Sequence, residues 1–182
     1  MKHFITLLLL SFSLSAISQE KEKYYQLGFA EIKIGYPMAY FFDDREAFLS
    51  GDVDTTIIQQ YYANAIQEAA TALGKRRFGD IKIYIDYDNA DREEIKKICS
   101  TYELDGLLVG YMKFMSSNTD VLVRLALYDE DGIEVTKAKH NTFTGNSYFL
   151  VPAYDRTIAD ATKGALRKIY ANLNKIYKKE QK

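Results

Sequence analysis

Residues 102–132 read YELDGLLVGYMKFMSSNTDVLVRLALYDEDG, and this stretch decides the fold. Asp105-Gly106 ends a helix. The segment 107–115 then opens with a continuous apolar run, the mark of a strand buried on both faces. Ser116-Ser117-Asn118 is a polar turn. Over 119–128, Val121, Val123, Leu125 and Leu127 alternate with Leu122, Arg124, Ala126 and Tyr128, which is the two-residue period of a strand. Asp129-Glu130-Asp131-Gly132 is a tight hairpin turn in which Gly132 supplies positive φ. The stretch therefore predicts a central strand paired with an antiparallel neighbour.

Downstream, 133–143 reads as a third strand. Its polar residues, Glu134, Thr136, Lys137, Lys139, His140 and Asn141, mark it as an edge, where lysine discourages further pairing. A final helix is expected over 155–178, with Ile158, Thr162, Ala165, Leu166, Ile169, Leu173 and Ile176 on one stripe. Upstream, Asp91 and Glu94 form a capping box for a helix whose apolar face carries Ile95, Ile98, Cys99 and Tyr102. Ile81, Ile83 and Ile85 alternate with Lys82, Tyr84 and Asp86 in a half-buried strand over 81–87. Asp54 or Thr55 caps an earlier helix reaching about residue 73, with Ile58, Tyr62, Ala65, Ile66, Ala69 and Leu73 on its stripe and Gly74 as its C-terminal cap. Residues 24–34 alternate as a strand with a bulge near Gly28. Gly35-Tyr36-Pro37 breaks that strand, and 38–54 reads as irregular. The order is strand, helix, strand, helix, strand, strand, strand, helix. It predicts an α/β sandwich with a mixed sheet of about five strands, the first three parallel and the last three antiparallel, and helices packed mainly on one face.

A chain of 182 residues suits one domain. Its formal net charge of −1 and lack of a long basic block give no sign of nucleic-acid binding. Fifteen Tyr and ten Phe with no Trp exceed what one core absorbs, so tyrosines are expected at the surface, where they suit protein contacts. At the N-terminus, Lys2 and His3 precede an apolar run over 4–10, and Ala16-Ile17-Ser18 supplies small residues for cleavage. This pattern predicts a secretory signal peptide over 1–18 and a mature domain over 19–182. The run is shorter than the ~20 residues that span a bilayer, so no membrane anchor is expected after cleavage. Cleavage removes Lys2 and no acid, taking the net charge from −1 to −2. No Cys follows the run to take a lipid. Cys99 is the only cysteine, so no intramolecular disulfide forms, and its helical position makes it a small buried hydrophobe.

Candidate chemistry is sparse. Asp86, Asp88, Asp91 and Glu94 loosely follow a calcium-loop pattern but lack its glycine, and a strand end plus helix cap explains them. Asp129, Glu130 and Asp131 belong to the hairpin turn. His140 has no second His or Cys nearby to hold a metal, and no nucleophile-elbow motif accompanies it. Cys99 with His140 is the one hydrolase pair the composition allows, and the expected burial of Cys99 argues against it. No catalytic residue, cofactor or metal is assigned. Arg124, on a strand rich in Val and Leu, is either solvent-facing or half of an ion pair that a partner or helix completes. Tyr36, Tyr40 and Phe42, in the aromatic stretch 36–48, are candidates for a partner-binding patch with Arg124. Charged residues at Tyr40 and Phe42 should abolish partner capture without changing thermal unfolding.

Three motifs carry a resemblance. Tyr61-Tyr62 with Ala65-Ile66 and Ala69, the strand and helix over 81–102, and Leu104-Asp105-Gly106-Leu107-Leu108-Val109-Gly110 together resemble the TolB N-terminal-like group. That group includes periplasmic domains of curli-secretion-type and penicillin-binding-protein-activator lipoproteins. The resemblance covers 24–177. It implies an α/β sandwich and a non-enzymatic role in assembling or regulating envelope machinery, and it brings no catalytic residues. The chain departs from the group in lacking a lipid-attachment Cys. The expectation is an exported module, periplasmic or secreted, that binds another envelope protein. The alternative is a small-ligand or ion-binding protein using the acidic–aromatic segment 36–54.

Overall fold

The computed structural model describes residues 24, 26–35, 55–73, 78–114, 120–142 and 154–180. In chain order these form β1 (Leu27–Glu31), β2 (Lys33–Gly35), α1 (Thr56–Ala72), β3 (Gly79–Tyr84), α2 (Arg92–Tyr102), β4 (Gly106–Phe114), β5 (Val121–Asp129), β6 (Glu134–Asn141) and α3 (Tyr154–Glu180). The strands make one mixed sheet in the order β3-β1-β4-β5-β6, and β2 continues alongside β4. β1 runs parallel to β3 and β4, and β4, β5 and β6 run antiparallel. The apolar start of β4 is therefore explained by its central place. β6 is an edge, as its polarity requires.

Alternation along the strands divides the interior into two cores. On one face Phe29, Leu108, Met112, Val123, Leu125 and Leu127 meet Tyr62 and Ile66 of α1 and Ile158, Leu166 and Ile169 of α3. On the other, Ala30, Ile81, Ile85, Leu107 and Val109 meet Ile95, Ile98 and Cys99 of α2. Two helices thus cover one face and α2 covers part of the opposite one.

Several expectations are corrected. The first strand shifts register between Ala30 and Glu31, beyond the bulge expected near Gly28, and is interrupted at Ile32. The Gln59 side chain of α1 accepts from Ile32 N–H and donates to Ile32 C=O, both at 2.9 Å, so this peptide pairs with a helix instead of a neighbouring strand. β3 ends at Tyr84 because Asp86 folds the chain back, accepting from Asp88 N–H at 3.0 Å and from Asn89 Nδ2 at 3.2 Å. Tyr102 is 47% exposed, beyond the buried stripe of α2. Leu73 is likewise exposed at the end of α1. Gly74 lies outside the described residues.

Candidate functional site

The face that carries α2 is only half covered by it among the described elements. α2 packs over β3, β1 and the start of β4. Beyond it, the register aligns Lys33 of β2, Tyr111 of β4, Arg124 of β5 and Lys139 of β6 in one row across the sheet. The neighbouring row holds Gly35, Lys113, Leu122 and Asn141. Alternation places these side chains opposite the α1/α3 core.

Tyr111 is the centre of this surface. Its ring lies against Gly35, where a Cβ would collide with the Tyr111 hydroxyl. The Tyr87 ring packs beside it, with centroids 6.1 Å apart. The Arg124 guanidinium carbon sits 5.3 Å from the Tyr111 ring centroid, within range of a cation–π contact. Burial raises the Tyr87 phenol above its ordinary range, and Arg124 and Lys137 pull it back. Arg124 is thus neither a bare solvent-facing cation nor half of an ion pair with a described residue. It rests on an aromatic platform and stays half-buried.

Lys33, opposite Tyr111 in the register, ties down the residues on either side of Tyr87. Its ammonium bonds Asp86 and, at 3.0 Å, Asp88. The Lys33 and Asn89 side chains, with the Asp88 backbone N–H, lower the Asp86 carboxyl to about 2. Asp86 and Asp88 are therefore engaged by a lysine and a turn, and Asp91 accepts from Glu94 N–H at 2.8 Å to cap α2. On the remaining surface Glu134 pairs with Lys137 at 3.2 Å. Lys113, Arg124 and Lys139 have no ion pair with a described residue, so among the described residues the platform carries surplus positive charge.

The other candidates are structural. Asp129 accepts from Asp131 N–H and Ile133 N–H inside the hairpin turn, and Gly132 takes φ +72. Asp131 pairs with Lys96 of α2 at 2.9 Å. Among the described residues no group of three or more His, Cys, Asp or Glu could hold a metal ion. Cys99 is buried on the sheet-facing side of α2, and burial pushes its thiol up to about 11. His140 packs against Gly164 of α3 on the opposite side of the sheet. The sheet therefore separates the one hydrolase pair the sequence allowed.

Of the four residues expected to bind a partner, Arg124 lies on the platform. Tyr36, Tyr40 and Phe42, like the whole segment 36–54, lie outside the described residues. Sequence reasoning missed Tyr111 and Tyr87. Tyr111 sits in an apolar strand, where the two-residue period from Lys113 would have placed it on the polar face. Nothing local signals Tyr87, whose partner comes from another strand.

No family model matches the chain, and no curated protein matches it. Among solved structures, it is similar to the PelC dodecamer from Paraburkholderia phytofirmans, with 13% identity and a TM-score of 0.45 over 79% of this chain and 86% of that one. It is also similar to Lipoprotein GNA1162 from Neisseria meningitidis, with 14% identity and a TM-score of 0.38 over 79% and 96%. A third is the LpoB C-terminal domain from Escherichia coli, with 10% identity and a TM-score of 0.32 over 74% and 94%. None of these three is named as a TolB N-terminal-like domain. Among the described residues no helix is long and apolar enough to cross a membrane.

Proposed function

We propose that the chain is an exported, non-enzymatic protein-interaction module of the bacterial cell envelope, and that its partner docks on the Tyr111–Arg124 platform. The platform is the observation that carries this reading. Tyrosine and arginine dominate the energetics of protein interfaces, because each brings a large contact area and directed polar groups. The ring of Tyr111 holds Arg124 in place, which lowers the ordering cost of binding. Surplus charge on Lys113, Arg124 and Lys139 favours an acidic partner surface. Export rests on the Lys2-His3 head, the apolar run over 4–10 and the small residues over 16–18. The resemblance to TolB N-terminal-like domains supports the same role.

A photo-crosslinking residue at Lys113 or Lys139 in the native envelope tests the docking face, with one at Asn174 on exposed α3 as control. One envelope protein should be trapped from both platform positions and not from Asn174. Arg124→Glu should weaken that capture at least tenfold, about 1.4 kcal/mol, while leaving thermal unfolding nearly unchanged. Equal yields from all three positions, or capture indifferent to Arg124→Glu, would refute the reading.

A further inference from the structure

The two edges of the sheet differ. At β6, Lys139 C=O accepts from Lys168 Nζ at 2.8 Å, and Lys137 C=O accepts from Asn172 Nδ2 at 3.4 Å. Asn172 also donates to Thr136 Oγ1 at 3.1 Å. α3 thus occupies carbonyls that a joining strand would need. Among the described residues β3 is the opposite edge and pairs only with β1. No described side chain bonds the backbone of its six residues. An uncovered edge of this kind is a template for another strand.

The sequence of that edge is self-complementary. We propose that two copies of the chain associate through β3, pairing antiparallel about a two-fold axis at Ile81. A two-fold axis normal to the sheet keeps each face continuous. Because side chains alternate faces, such pairing must be centred on a residue. Centring on Asp80 or Lys82 would oppose like charges. Centring on Ile81 sets Asp80 against the partner's Lys82 and Lys82 against the partner's Asp80. Both are solvent-accessible, with side chains 36% and 66% exposed, and they now pair within one strand at 2.8 Å. In the dimer the two intrastrand pairs, one in each copy, are exchanged for two cross-strand pairs of a kind that favours association. The same register lays half-buried Ile83 over the partner's Gly79, which adds no side chain of its own and is flanked by Ile81 and Leu104 at ordinary contact distance. It also brings Tyr84, 52% exposed, opposite the partner's Phe78. The two sheets become one, with α2 of both copies on the same side. This edge is separate from the Tyr111–Arg124 platform, so either surface can fail without the other.

Charge reversal provides the test, read by equilibrium sedimentation of the purified protein across a concentration series. The unaltered chain should form a dimer. Asp80→Lys and Lys82→Asp should each weaken dimerisation at least tenfold, because each opposes like charges at two points. The double variant D80K/K82D restores both pairs and should regain the dimer. An equimolar mixture of the two single variants should also associate, as a heterodimer. A monomeric unaltered chain, or a dimer indifferent to both reversals, would overturn the proposal. If one single variant fails to fold, the other single variant still decides, with the double variant as its control, since that variant keeps the charge composition of the strand.

Discussion

Gly164 and His140 show how one residue fixes another across a core. Gly164 lies within α3, where alanine would ordinarily stabilise the helix by about 1 kcal/mol. Here a Cβ would collide with the imidazole of His140 on β6. The collision outweighs the propensity, so Gly164→Ala should destabilise by roughly 1–3 kcal/mol, read from urea unfolding. His140→Ala in the same chain should recover most of that loss by emptying the space. The imidazole also sets a pH dependence. Burial holds it below the ordinary histidine range, Lys168 and Arg167 add to the shift, and Asp160 opposes it. The folded chain therefore binds this proton more weakly than the unfolded chain. Stability from this group is complete above the unfolded value of about 6.5 and is lost as pH falls through it toward the folded value. Unfolding free energies at about pH 7.5 and about pH 5.5 bracket that range. The decline between them should be smaller in His140→Gln, and an equal decline would assign the pH dependence elsewhere. His140 was legible in the sequence as a lone histidine on an edge strand. Its dependence on Gly164 was not, because the two residues meet only after α3 folds back.

At the scale of elements, α1 is held by glutamines as well as by its apolar stripe. Gln59 pairs with both backbone groups of Ile32. Gln67 donates to Phe78 C=O at 2.7 Å and accepts from Phe78 N–H at 3.2 Å. Each glutamine satisfies both backbone groups of a residue that no described strand pairs with, one at the break between β1 and β2 and one before β3. Ile32 is 1% exposed, so water does not replace the lost bonds if Gln59 is removed. Gln59→Leu should then cost roughly 1–3 kcal/mol for each orphaned group. Gln67→Leu should cost less, because Phe78 lies at the start of an edge strand. Equal and negligible losses in urea unfolding would show that these bonds are replaceable. The sequence made α1 legible through Ile58, Tyr62, Ala65, Ile66 and Ala69, which follow a local period. Gln59 and Gln67 fall outside that stripe and nothing local marks them, since their partners lie 27 and 11 residues away. The same reason hid the break at Ile32. A glycine signals a bulge locally, whereas this interruption comes from a side chain on a distant helix. Arg124 was visible as a charge in an apolar strand, but its seat on Tyr111 required the pairing of β4 with β5.

The whole molecule is one sheet with unequal cores on its two faces. Two helices, 17 and 27 residues long, enclose the larger core. α2 closes the smaller one with 11 residues and three buried side chains, Ile95, Ile98 and Cys99. Its other ties include two exposed ones, Lys96 to Asp131 and Arg92 Nε to Asp131 C=O at 3.0 Å, and a part-buried one, Cys99 Sγ to Asp129 C=O at 3.9 Å. Exposed ion pairs of this kind contribute about 0–1 kcal/mol. α2 should therefore detach at a lower free energy than the sheet with α1 and α3, since elements with few buried contacts open sub-globally. Cys99 reports this opening directly. It is 1% exposed, and burial raises its thiol to about 11, so the closed state is protected both by access and by lack of thiolate. Labelling with a thiol reagent across sub-denaturing urea should give an opening free energy below that of global unfolding by circular dichroism, with a smaller dependence on urea. Lys96→Ala should speed labelling while leaving the global transition nearly in place. Identical free energies and urea slopes for the two probes would instead mean that both cores melt as a single unit and that α2 gains its stability from the sheet it covers.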